Sequence, residues 1–90
     1  MAEVQWLEHT PHFASAELPL ASGGCISLFA EFVEAGVWDW EVLCHHDNER
    51  GGAEVRFYGA MCSRKGMNCR RQAERVAREL AKIWERCANA

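Results

Sequence analysis

The stretch Val37-Trp38-Asp39-Trp40-Glu41-Val42-Leu43-Cys44-His45 decides the fold. Trp38, Trp40, Val42 and Cys44 fall on one parity, Asp39, Glu41, Leu43 and His45 on the other. Successive side chains of a strand point to opposite faces, so this alternation predicts a half-buried antiparallel strand. On its N-terminal side, Gly24–Glu34 repeats the period: Ile26, Leu28, Ala30 and Phe32 against Cys25, Ser27, Phe29, Glu31 and Val33. On its C-terminal side, Ala53–Met61 sets Val55, Phe57 and Met61 against Glu54, Arg56 and Tyr58. Glu34-Ala35-Gly36 and Asp47-Asn48-Glu49-Arg50-Gly51-Gly52 carry the turn chemistry that links these three strands into a meander over 24–62. Earlier still, residues 1–22 read as an irregular or edge-strand segment, with Val4–Leu7 and Phe13–Leu18 as strand candidates broken at Thr10-Pro11 and Pro19.

After Ser63-Arg64-Lys65 and Gly66 the period changes. Over 67–88, with Asn68 as the expected N-cap, Ala73, Val76, Ala77, Leu80, Ile83, Trp84 and Cys87 recur at steps of three and four. At ~100° per residue they fall within about 120° of arc, which predicts an amphipathic helix. The expected class is α+β: one domain over 1–90, an antiparallel three- to four-stranded sheet packed on one C-terminal helix. The helix stripe is expected to pack on Leu28, Phe32, Trp38, Trp40, Val42, Val55 and Phe57, with Trp38, Trp40, Phe57, Leu80 and Trp84 buried in one cluster.

Ninety residues with 49% apolar and 26% charged side chains describe a small globular domain with a modest core. Met1–Trp6 has no basic n-region, and Leu18–Val33 is interrupted by Pro19, Gly23, Gly24 and Glu31, so neither a signal peptide nor a membrane span is expected. Five cysteines, an odd number, read as reduced thiols in a cytoplasm rather than a disulfide framework.

The charges are partitioned along the chain. No Lys or Arg precedes Arg50, so the nine carboxylates of residues 1–49 make that segment formally −9. Residues 50–90 are +6, and the whole is −3. On the helix, Arg71, Arg75, Arg78, Lys82 and Arg86 form a strip ~80° wide, centred roughly 160° from the apolar stripe. On the strands, Glu31, Asp39, Glu41 and Glu54 share the outward parity with only Arg56 among them. The expected molecule is a plate with an acidic sheet face and a basic helix face. The basic strip reads as a solvated surface or a secondary contact. The acidic face also carries Phe29, Val33, Leu43 and Tyr58, and apolar groups ringed by carboxylates suit a partner-binding surface. The competing reading is that the N-terminal segment covers that face.

No cofactor or metal is expected. Cys44-His45-His46-Asp47 is the densest set of ligand types, with His9, His12, Cys62 and Cys69 as possible complements, but no spacing matches a zinc module. No nucleophile–base motif, phosphate loop or dinucleotide fingerprint is present, so no enzyme is expected. Strands followed by a helix that opens near Arg64, Lys65, Arg70 and Arg71 also match the order of the second half of a double-stranded-RNA-binding domain. The N-terminal helix of that domain has no counterpart, and a −9 first half repels a phosphate backbone.

Trp38-Asp39-Trp40-Glu41-Val42, the Gly-rich turn, Val55–Tyr58 and the helix Arg70–Cys87 together resemble small phage and mobile-element proteins, anti-CRISPR proteins among them. The resemblance covers residues 36–88 and carries no diagnostic motif. It implies a stoichiometric inhibitor of a CRISPR effector complex in a bacterial host cell, whose carboxylates mimic phosphate in a basic groove. The alternative is a nucleic-acid-binding or regulatory module using the basic helix, dimeric through Phe29, Leu43 and Tyr58.

Overall fold

A computed structural model describes residues 4–21, 24–48 and 51–88, with 45–48, 51–53, 87 and 88 as backbone only. The elements are β1 (Leu7–Thr10), β2 (Phe13–Pro19), β3 (Cys25–Glu34), β4 (Val37–Asn48), β5 (Gly51–Cys62) and α1 (Met67–Ala88). The five strands form one antiparallel sheet in sequence order, β1-β2-β3-β4-β5, and α1 packs against β3, β4 and β5. The class is the expected α+β, with five strands where three to four were expected. The extra strands come from the N-terminal segment. There β2 covers the candidate Phe13–Leu18 and ends at the expected break, Pro19, opposite Cys25. The first strand is Leu7–Thr10 and not Val4–Leu7, because Val4 is drawn into the core. Residues 49–50 of the expected second turn lie outside the described residues.

Strand parity works as read. Ala14, Ala16, Leu18, Ile26, Leu28, Ala30, Trp38, Val42 and Cys44 are buried on the helix side of the sheet. Cys69, Ala73, Ala77 and Leu80 meet them from α1. Full burial of Ile26, Leu28 and Val42 contributes about 1.5–3 kcal/mol each to the hydrophobic term. The helix begins at Met67, so Asn68 lies inside it and is not the N-cap. Ser63, buried in the preceding loop, accepts from the Cys69 N–H at 3.2 Å and supplies the side-chain cap. Its own N–H donates to the Gly36 carbonyl at 3.0 Å, which ties the loop to the β3–β4 turn.

The two glycines nearest the tryptophans seat them. A Cβ on Gly59 would stand 3.0 Å from Nε1 of Trp40, its register partner, and one on Gly66 would stand 3.0 Å from the Trp38 ring. Gly66 also has φ +75°, a conformation that other residues adopt only under strain.

The single expected cluster is corrected. Trp38 packs with Ala30 and Cys69, while Leu80 joins a larger cluster against which Trp84 packs half-buried; Trp40, also half-buried, touches both. Phe57 and Val55 are not under the helix: they are 44% and 37% exposed, and Ile83 of the expected stripe is 56% exposed. The reason is width. A helix about 10 Å across covers roughly two strands spaced ~4.8 Å apart, not five. It centres on β3 and β4. Val4 and Trp6 extend the core on the β2 side, whereas α1 reaches β5 less than it reaches β3 and β4 and leaves Val55 and Phe57 exposed.

Candidate interaction face

The face of the sheet turned away from α1 is assembled by register. Glu31 of β3 stands directly opposite Asp39 of β4, and Phe29 opposite Glu41. Glu41 in turn faces Tyr58 of β5, and Leu43 faces Arg56. Directly paired residues project on the same side, so two acidic and aromatic rows run across the central strands. Phe29, Glu31, Asp39, Glu41, Arg56 and Tyr58 line a groove of about 650 Å³. Five of the seven residues assigned from sequence to partner binding, Phe29, Glu31, Asp39, Glu41 and Tyr58, are thus brought together. The other two, Leu43 and Glu54, share the face but lie outside the groove.

Arg56 partly neutralises this face. Its Nε lies 3.1 Å from Glu41 and its NH2 nitrogen 3.1 Å from Glu54. Glu31 and Asp39 have no cationic partner among the described residues. Like charges placed directly opposite repel, so the sheet holds this pair at a cost to its own stability. Tyr58 is 76% exposed beside them.

The aromatic part extends farther than the sequence reading placed it. Phe13 stacks on Phe29 with ring centroids 6.2 Å apart. His9 stacks on Phe13 at 5.3 Å, and its Nε2 lies 2.6 Å from the Ser15 hydroxyl. A line His9–Phe13–Phe29 therefore crosses β1 to β3. Its signal was present as the alternation Phe13, Ser15, Glu17 against Ala14, Ala16, Leu18, but small alanines mark a core parity weakly.

Residues 4–6 lie on the helix side of the sheet, and β1 and β2 join the sheet as its edge, so among the described residues the N-terminal segment does not overlie the acidic groove. Val4 is buried in the core beneath the helix, and Trp6 Nε1 donates to Glu74 of α1 at 2.6 Å. Arg70 sits 5.6 Å from the Trp6 ring centroid and pairs with Glu8 at 2.7 Å. Its side chain is largely buried and its Nε has no partner. This committed position removes Arg70 from the basic residues considered for phosphate contact. Along the helix, Arg71, Arg75, Lys82 and Arg86 are exposed and Arg78 is half-buried. Lys82 pairs with Glu79 at 3.2 Å.

The metal-ligand types are dispersed. His9 is on the outer face, His12 stacks on Phe32, Cys44 and Cys69 are in the core, and Cys62 is exposed. The side chains of His45, His46 and Asp47 lie outside the described residues. No group of three or more His, Cys, Asp or Glu able to hold a metal occurs among the described residues. Cys25, Cys44, Cys62 and Cys69 are free thiols, and Cys87 lies outside that description. Burial, with a smaller push from Asp39, raises the Cys69 thiol to about 11 against a partial offset from Arg70. Its Sγ–H donates to the Asp39 carbonyl at 3.1 Å. Such a thiol is a packing and hydrogen-bonding group, not a nucleophile. No helix among the described residues is long and apolar enough to cross a membrane. Comparison of the chain with protein families, with curated proteins and with solved structures gives no match.

Proposed function

We propose that this protein is a non-enzymatic binder that presents its acidic, aromatic sheet face to a basic surface of a partner protein or nucleoprotein complex. In this reading it inhibits that partner by occupying a site that otherwise holds nucleic acid. The observation that carries the proposal is the Glu31–Asp39 pair, opposed and without a cationic partner among the described residues, in a groove flanked by Phe29 and Tyr58. Arginine and lysine side chains of a partner would relieve that repulsion through charge-assisted hydrogen bonds, and the rings add cation–π attraction. A CRISPR effector complex is the partner that the resemblance of residues 36–88 suggests, because its guide and target channels are necessarily positive. The protein would act in the cytoplasm of a bacterial cell.

The test is affinity capture from bacterial lysate with and without nuclease treatment, followed by purified binding measurements on two variants. Glu31→Lys with Asp39→Lys should abolish binding to a stoichiometric, nuclease-resistant basic complex and leave thermal stability nearly unchanged, since exposed charges contribute little to folding. Arg75→Glu with Lys82→Glu should weaken binding less. If the helix substitutions are decisive and the sheet substitutions silent, the acidic-face reading is wrong. Capture that vanishes with nuclease would instead favour nucleic-acid binding by the basic helix.

A further inference from the structure

The sheet treats its two edges differently. β1 is four residues long and stops before Pro11. β5 runs for twelve residues without a proline and, among the described residues, pairs only on its β4 side. Alternate residues of an edge strand hold their N–H and C=O groups outward, where another strand can use them. Both faces of this edge carry exposed apolar groups. Val55 and Phe57 are opposite the buried Cys44 and Val42, hence on the helix side, and Tyr58 is on the outer side.

Ile83 completes the patch. Trp6 approaches α1 at Glu74, and Leu18 and Leu20 approach it at Arg78 and Ala81, which marks the helix flank turned toward β2. Ile83 lies ~160° or more round the helix from Ala81 and Glu74, so it is turned toward β5. Cys69 bonds the Asp39 carbonyl, and Asp39 is opposite Ala60. Advancing from Cys69 to Ile83 at ~1.5 Å per residue covers about 21 Å, or about six strand residues, which brings Ile83 from the level of Ala60 to that of Glu54 and Val55.

We propose that β5 pairs antiparallel with β5 of a second copy of this chain across a two-fold axis, joining two sheets into one of ten strands. Self-complementarity selects the second copy as occupant. The register centred on Val55 sets Glu54 opposite Arg56 of the second copy, twice, on the outer face. On the helix side it sets Val55 against Val55, flanked by Phe57 and Ile83 from both chains. The register centred on Arg56 would oppose two guanidinium groups and is disfavoured. Assembly closes at two, because the remaining edges are the four-residue β1 strands beside Pro11. This edge-to-edge dimer differs from a face-to-face dimer through Phe29, Leu43 and Tyr58, and it does not depend on the proposed function. Glu31 and Asp39 lie on β3 and β4, inboard of the seam, so the dimer would present two acidic grooves.

The test is light scattering and sedimentation equilibrium of the full chain across the micromolar range. The mass should rise with concentration from 10.2 kDa to twice that value. Glu54→Arg and Arg56→Glu should each weaken the dimer about tenfold or more, and the double variant E54R/R56E should recover it, because the pairs re-form with charges exchanged. Ile83→Lys, on the helix surface and away from the β5 backbone, should also shift the chain to monomer with its circular dichroism unchanged. A chain that stays monomeric throughout overturns the proposal. So does a dimer indifferent to Ile83→Lys, or one that the double charge exchange fails to restore.

Discussion

Replacing Glu31 by Gln should make this protein more stable. Glu31 and Asp39 are directly opposed across β3 and β4, and no cation among the described residues compensates them. Opposed side chains on one face place such carboxylates ~6 Å apart. Two unit charges at that distance repel by roughly 0.7 kcal/mol at the dielectric constant of water, and salt reduces the figure further. Neutralising one of them should therefore stabilise the fold by about 0.5 kcal/mol. For a domain of this size that raises Tm by ~2–4 °C. The assay is thermal unfolding followed by circular dichroism at low salt and again in molar salt, where the gain should largely disappear. Asp39→Asn should produce a similar gain, and the double variant should gain little beyond either single one, since the repulsion can be removed only once. Glu41→Gln is the internal control: Glu41 is 3.1 Å from Arg56, so its loss should lower Tm slightly or leave it unchanged. A fall in Tm for Glu31→Gln, or a rise of equal size in molar salt, would refute the view that this face stores charge repulsion. The gain in stability should accompany a loss of affinity for a cationic partner.

The tryptophan seats give a second contrast. Gly59→Ala should cost about 1 kcal/mol through its contact with Trp40, whereas Gly66→Ala should cost more, because its φ of +75° adds backbone strain to the clash with Trp38; tryptophan fluorescence and chemical denaturation report both. Cys69 makes alkaline pH destabilising. Its thiol ionises near 9 when unfolded but near 11 when folded, so the folded state holds the proton longer and stability falls as pH rises from about 9 to about 11. The loss should be on the order of 2 kcal/mol and should shrink in Cys69→Ala. Under native conditions near neutral pH an alkylating reagent should modify exposed Cys62 well before Cys69, which mass spectrometry would detect.

Periodicity alone determined which side chains share a face of this protein. A strand repeats every two residues and a helix every 3.6, whatever lies beyond them, so Glu31, Asp39 and Glu41 were legible as one acidic face and Arg71–Arg86 as the opposite basic strip. The same local rule placed Ile26, Leu28 and Val42 in the core. Contacts between distant segments decided the rest. Where the helix sits across the sheet depends on Trp38 finding Gly66, just ahead of the helix, and on a helix being too narrow to cover every strand. That lateral position leaves Val55, Phe57 and Ile83 exposed although each has the inward parity of its element. Ser63 displaced Asn68 as the cap because the loop is pinned to Gly36, a partner nothing in the local sequence reveals. Residues 4–6 went to the helix side because Trp6 and the neighbouring Glu8 meet Glu74 and Arg70, more than sixty residues away, and that choice left the acidic face open. A repeat distance along the chain states what an element presents; which surface it meets is a property of the packed whole.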